Sequence, residues 1–271
     1  LNVRNLKTFK NKIVLKIQSE PPVDERKDIT ETKKAAQMRA DFVANVSHEL
    51  RSPLSALLGF IETLRGPARN DPDASDRFLE IMENEAKRMA RLINDLLALS
   101  KVETDEHIQP DQVVDLSITL KQVTDILLVN AKDRNMEISI SLQDRLPKIL
   151  GDADELIQVF QNLIGNAIHY GRPNSQISVC ASKCSLPTAA MSDAQGVAVA
   201  IINEGEGIPP EDIPRLTERF YRVDKGRSRD MGGTGLGLAI VKHILVRHRG
   251  HLHIESDLGG ETKFTVLLLS A

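Results

Sequence analysis

Asp154-Glu155-Leu156-Ile157-Gln158-Val159-Phe160-Gln161-Asn162-Leu163-Ile164-Gly165-Asn166-Ala167-Ile168-His169 reads as one amphipathic helix with an unusual polar edge. At about 100° per residue, Gln158, Asn162 and His169 fall within about 40° of one another, with Asn166 about 80° round on the same flank. Leu156, Phe160, Leu163, Ile164 and Ala167 take the opposite side. Amide oxygens are hard ligands suited to Mg2+, which keeps waters and substrate phosphates as its other ligands. The stripe also fits a solvated polar face, and the pattern alone leaves both open.

Around this helix, strand and helix signals alternate from residue 110 to the end. Strands are predicted at Glu137–Leu142, Gln176–Ala181, Val197–Ile202, His251–Ser256 and Thr262–Leu269, and helices at about 117–132, 153–169 and 235–249. The fold predicted for this part is an α/β sandwich with a mixed sheet and helices on one face. Ser185–Gln195 is rich in Ala and Ser and reads as a loop between two strands.

Two glycine-rich stretches precede the last helix. Asn203-Glu204-Gly205-Glu206-Gly207-Ile208-Pro209 follows an apolar strand, where closely spaced Gly allow a tight turn and close approach to a ligand. Gly232-Gly233-Thr234-Gly235-Leu236-Gly237-Leu238 opens a helix, whose first N–H groups suit phosphate. It is not a P-loop, because no Lys-Ser/Thr pair follows the glycines. Arg222, Lys225, Arg227 and Arg229 precede it in a polar stretch that suits a lid with cations for a terminal phosphate, or a plain basic surface loop.

Residues 31–103 carry almost no strand signal and read as two long helices parted by Gly66-Pro67 and Asn70-Asp71-Pro72. Val43, Val46, Leu54, Leu57, Ile61 and Leu64 fall within about 40° of Leu50, a narrow seam. The second helix, centred on Met89, has Phe78, Met82, Ile93 and Leu96 within about 40°, and Leu79, Ile81, Leu92, Leu97 and Leu99 widen that band to about 80° either side. A hairpin cannot bury so much apolar surface alone. A homodimer through residues 31–105 that forms a four-helix bundle buries it most simply, and packing against the rest of the chain is the other solution.

His48 lies about 160° from that seam and faces solvent, flanked by Glu49 and Arg51. Pro53 removes the hydrogen bond to Glu49 and is expected to bend the helix there. An exposed imidazole beside a carboxylate can act as a nucleophile, the carboxylate taking the Nδ1 proton and leaving Nε2 free.

Ser47-His48-Glu49-Leu50-Arg51-Ser52-Pro53-Leu54 resembles the phosphoacceptor box of sensor histidine kinases at all positions but Ser52. The amide helix, two glycine boxes and lid resemble the ATP-binding domain of the same family, shared more distantly with Hsp90, gyrase and MutL. The resemblance covers roughly residues 38–270 and implies an enzyme, a protein-histidine kinase of two-component signal transduction. It implies His48 as phosphoacceptor, Glu49 as the acid/base that activates it and Ser52 as the residue that orients the dephosphorylating water. For ATP it implies Asn162, Asn166, His169, Tyr170, Asn203, Gly205, Gly207, Ile208, Phe220, Arg222, Lys225, Arg229, Gly233, Thr234, Gly235, Leu236 and Gly237, with Asn162 on Mg2+. Its implied partners are a second copy of the chain, a response-regulator receiver domain docked near Leu57, and an upstream sensor. The run Ile213–Asp224 looks like the phosphate-sensing subgroup.

Three positions depart from the family pattern. Ser52 stands where Thr or Asn is usual, keeping the hydroxyl but losing the β-branch that restricts its rotamer. His169 stands where Lys is frequent and is mostly uncharged at neutral pH. Asn203 replaces the Asp that accepts from the adenine amino group, so the bond loses its charge and an NH2 is expected to face the ring. A charged acceptor is worth about 1.5–3 kcal/mol against about 1 for a neutral one, so weaker ATP binding is expected. A natural variant, a deliberate change and a degenerate kinase all fit. The alternatives are a phosphatase or non-catalytic dimeric scaffold crippled at Asn203, and another ATPase of the wider superfamily.

Composition agrees with two domains. The chain has 271 residues, 41% hydrophobic, with 35 basic against 38 acidic side chains and a net charge of -3, which does not suit a nucleic-acid binder. Aromatics are 3% with no Trp, too few for stacking platforms. Cys180 and Cys184 suggest a reducing compartment. No apolar run approaches the roughly 20 residues that span a bilayer, so this segment is expected in the cytoplasm without membrane contact, any anchor lying upstream. The chain starts at Leu1 and is expected to be a fragment. Residues 1–30, with a strand at Lys12–Ile17, read as the remnant of a PAS-like sensor domain whose exit is Asp28-Ile29-Thr30-Glu31. His251 and His253 read as a solvated sheet edge rather than a metal pair.

Overall fold

The computed structural model describes residues 28–187, 193–223 and 233–271. The strand expected at Lys12–Ile17 lies outside them. Of the described residues, 28–51 with 187 fall in one compact unit, and 52–186 with 193–223 and 233–271 in the other.

Helix α1 runs Asp28–Arg65, starting inside the stretch assigned to the linker, and continues as helix through Pro53. Helix α2 spans Pro72–Thr104. Asp71 caps it by accepting from the Ala74 N–H, and Pro72 fills the first position, where no N–H is needed. Phe60 and Phe78 meet with ring centroids 5.4 Å apart, tying the two helices near the turn.

Beyond the hairpin, a short ribbon pairs β1 (Val113–Val114) antiparallel with β3 (Ile149–Leu150). Pairs this short lie below the length at which alternation can be read, and the sequence gives no sign of them. The main sheet holds β2 (Glu137–Leu142), β4 (Gln176–Pro187), β5 (Asp193–Glu204), β7 (Glu261–Leu269) and β6 (His251–Ser256), in that spatial order. β2 runs parallel to β4, whereas β7 is antiparallel to β5 and β6, so the sheet is mixed as expected. β4 and β5 reach Pro187 and Asp193, so the loop expected over Ser185–Gln195 is narrower: paired backbone extends the strands past the apolar residues. β6 is an edge strand with His251 exposed.

Helices α3 (Leu116–Lys132), α4 (Ala153–Tyr170) and α5 (Gly237–Arg247) form one layer on this sheet. Phe160, Leu163 and Ile164 from α4 and Ile240 and Ile244 from α5 are fully buried, as are Ile177, Val199, Ile201 and Val266 from the strands. Each such side chain contributes about 1.5–3 kcal/mol by leaving water. Asp152 caps α4, accepting from the N–H groups of Asp154 and Glu155.

The apolar band of the hairpin is divided. Leu92, Leu99 and Val102 of α2 are buried on the side that packs against α5, so part of the band is covered by the chain itself. Leu54, Leu58, Ile61, Leu79, Ile93 and Leu97 stay exposed, Leu97 at 65%.

His248 joins the layers. Its buried ring donates from Nδ1 to Ile244 O (2.8 Å) and accepts at Nε2 from the Asp152 N–H (2.9 Å), which only the neutral imidazole can do. Burial lowers its pKa from the ordinary 6.5. Below that value the unfolded chain binds a proton that the folded chain refuses. The His248 contribution is therefore full above about pH 6.5 and is lost as pH falls, at up to about 1.4 kcal/mol per unit. His169 carries the same sign. Urea denaturation of His248→Gln across pH is expected to show lower stability near neutrality and a shallower acid slope than the parent chain.

Candidate functional site

The apolar back of α4 sits in the core, and its polar edge is left half-exposed: Gln158, Asn162, Asn166 and His169. Asn162 donates its Nδ2 to Gln158 O (2.9 Å), so the amide turns its oxygen outward. That oxygen points at the start of α5, where a Cβ added to Gly237 would lie 2.5 Å from Asn162 Oδ1. The amide helix and the second glycine turn therefore face each other in contact. An amide oxygen spared from intramolecular donors is the hard ligand that a Mg2+ carrying phosphates needs, so Asn162 fits that role.

The first glycine turn closes against the other end of the helix. Gly171 bridges to Gly205, and a Cβ at Gly205 would lie 2.8 Å from Tyr170 O. Gly207 has φ +77°, and a Cβ there would meet Asp257 O at 2.2 Å, so only Gly fits. Half-buried Ile208 donates its N–H to Ser256 Oγ (2.9 Å), pinning the turn to β6. Asn203, next to last in β5, pairs with Thr262 and is buried. Its Nδ2 donates to Glu204 O (3.3 Å), so the NH2 expected to face a base is turned onto the backbone.

Phe220, with φ +63°, donates its N–H to Gly235 O (2.8 Å). Arg222 donates to Gly233 O, seating the start of the lid on the second glycine turn. Lys225, Arg227 and Arg229 lie outside the described residues. Leu236, expected among the ligand residues, is wholly buried, so its side chain belongs to the core, and its N–H goes to Thr234 Oγ1 (3.3 Å). No side chain caps α5, which leaves its opening N–H groups for an anion.

His169 is disfavoured as a cation: burial, with Arg134 and Arg91 adding to it, lowers its pKa, and its buried Nε2 has no hydrogen-bond partner among the described residues. Its ring meets the exposed Tyr170 edge-on at 5.1 Å. Arg134 donates to the carbonyls of Ile168, His169 and Gly171 and so closes the C-terminal end of α4. Burial lifts the Cys184 thiol to about 11, which makes it a poor nucleophile.

His48 is exposed on α1, as its angle predicts, beside half-buried Glu49 and exposed Ser52, while Pro53 is buried. Four contacts from α2 and the following turn onto the lobe had no sequence signal. Thr234 Oγ1 donates to Asp95 (2.6 Å), Arg219 pairs with Glu103 (2.5 Å), His243 faces Glu106 (3.3 Å), and Arg247 donates to Ile108 O (2.9 Å). Each joins residues more than a hundred positions apart, beyond the reach of any periodicity.

Residues 38–105 match the His Kinase A (phospho-acceptor) domain, and residues 151–271 match the histidine kinase-, DNA gyrase B- and HSP90-like ATPase family. The phosphate regulon sensor protein PhoR of Pseudomonas aeruginosa is 38% identical over 239 residues, 88% of this chain and 52% of that protein. The chain thus spans about half the length of that relative. Among solved structures, the histidine kinase AdeS of Acinetobacter baumannii superposes with a TM-score of 0.63 at 24% identity, covering 82% of this chain and 98% of that one. The histidine kinase ThkA, in complex with the response regulator TrrA, superposes at 0.67 and 20% identity over 93% of this chain and 68% of that one. At these identities the two structures establish the shared fold.

Gly237→Ala places a methyl against Asn162 Oδ1 while supplying a better helix former. ATP affinity is expected to fall about tenfold or more with little change in thermal midpoint, read by calorimetric titration and thermal denaturation of the same variant.

Proposed function

Because the chain belongs to the sensor histidine kinases, joining a phosphoacceptor hairpin to an ATP-binding lobe, we propose that it phosphorylates His48 from ATP and passes the phosphoryl group to a response-regulator Asp. The observation that carries this reading is that both glycine turns pack against α4, Gly237 on Asn162 and Gly205 on Tyr170 at its C-terminal end, in a chain that also exposes His48.

In this reading the free N–H groups at the start of α5 receive the phosphates, and Asn162 Oδ1 holds the Mg2+ that accompanies them. Mg2+ would offset charge on the transferring group. Arg222, with Lys225 and Arg229, supplies lid cations, and Asn166, His169 and Tyr170 line the flank. His48 attacks through Nε2 while Glu49 holds the Nδ1 proton. Ser52 orients water for the reverse, dephosphorylating activity. The regulator docks near half-buried Leu57; the structurally similar ThkA forms a complex with a response regulator. A second copy of the chain covers Leu54, Leu58 and Ile61. No observation favours a scaffold without catalysis.

Asn203 keeps an acceptor for the adenine amino group. With Nδ2 on Glu204 O, its oxygen is the free end of the amide, and what it lacks against Asp is charge. Asn203→Asp is expected to tighten ATP binding by about tenfold, measured by titration with a non-hydrolysable analogue. An unchanged affinity would show that the charge is dispensable here.

Incubation with γ-labelled ATP tests the reaction. Label on the parent chain, stable to base and labile to acid, with none on His48→Ala despite intact ATP binding, is the expected result. Label that persists on His48→Ala would remove the phosphoacceptor assignment.

A further inference from the structure

The second glycine turn already carries an anion. Asp95 lies on the face of α2 that holds Leu92 and Leu99, packed toward α5. Its Oδ2 accepts the Thr234 hydroxyl at 2.6 Å, and Thr234 Oγ1 in turn accepts the Leu236 N–H at 3.3 Å, one residue before α5 begins. A carboxylate is thus bound through the turn to the helix end where the N–H groups await a phosphate. We propose that Asp95 is a built-in competitor of the nucleotide phosphates: docking α2 on the lobe weakens ATP binding, and ATP binding releases α2.

The inference rests on the nucleotide site proposed above and follows from two physical limits. A threonine hydroxyl has one proton to donate, so the proton held by Asp95 is unavailable to a phosphate oxygen. Like charges held close together in a partly buried site repel, so phosphate and carboxylate do not share the turn without loss. The carboxylate is also uncomfortable where it is: burial raises the Asp95 pKa, against the Thr234 bond and the charge of Arg91, which lower it. The Arg91 charge acts on both Asp95 and His169.

The rest of the seam is what keeps Asp95 in place. Leu92, Leu99 and Val102 are buried. Further along, Glu103 takes Arg219 at 2.5 Å and lies 3.6 Å from His243 Nε2, while Arg247 holds Ile108 O at 2.9 Å. Arg219 precedes Phe220, which carries the lid onto Gly235, so the seam grips the lid root as well as the turn. Coupling between two binding events is reciprocal, so whatever ATP loses to the docked helix, the docked helix loses to ATP.

The test compares binding of a non-hydrolysable ATP analogue by the whole chain with that of Asp95→Ala, the isosteric Asp95→Asn and Glu103→Gln. Both Asp95 variants are expected to bind about fivefold tighter or more. Glu103→Gln, which loosens the seam away from the phosphates, is expected to bind tighter by a smaller factor. Amide exchange over residues 92–102 of the parent chain is expected to quicken when the analogue is added. Unchanged or weaker binding by the Asp95 variants, with the parent chain binding normally, would overturn the competition. If the parent chain binds no analogue, the nucleotide reading itself fails and takes this inference with it.

Discussion

The structure turns on one helix that has to satisfy two solvents. The back of α4 is sealed against the sheet by Phe160, Leu163 and Ile164, all fully buried. A helix is rigid, so sealing the back decides where the front points, and the front is a row of amides. Burial energy that has nothing to do with a ligand thereby aims Asn162 at the start of α5. Arg134 and Asp152 hold the two ends of the same helix, one through carbonyls and the other through N–H groups.

That aim is useful only because the facing backbone comes unusually near. At Gly205 and Gly207 the backbone oxygens of Tyr170 and Asp257 leave no room for a methyl, and at Gly237 the space is filled by the Asn162 side-chain oxygen. The result is a polar site built mainly from neutral groups: amides, backbone N–H groups and an imidazole whose burial disfavours the charged form. Such a site suits an anion held by directed dipoles more than by net charge.

The hairpin shows the opposite economy. Its helices carry more apolar surface than this chain covers. Leu92, Leu99 and Val102 go to the lobe, while Leu54, Leu58 and Ile61 remain bare.

Periodicity and local chemistry determined the element types, the mixed sheet, the amide edge of α4, the exposure of His48 and the two glycine turns, because each depends on residues within a few positions of one another. Element ends were less legible. β4 and β5 outrun their apolar residues because cross-strand hydrogen bonds, not hydrophobicity, extend them, and the β1–β3 ribbon is too short to show alternation. Tertiary structure alone decided which way the Asn203 amide turns, that Leu236 is core, and that Asp95 reaches Thr234 across 139 positions. Those outcomes depend on side chains brought together only by packing, and no pattern along the chain encodes a contact whose two halves share no local period.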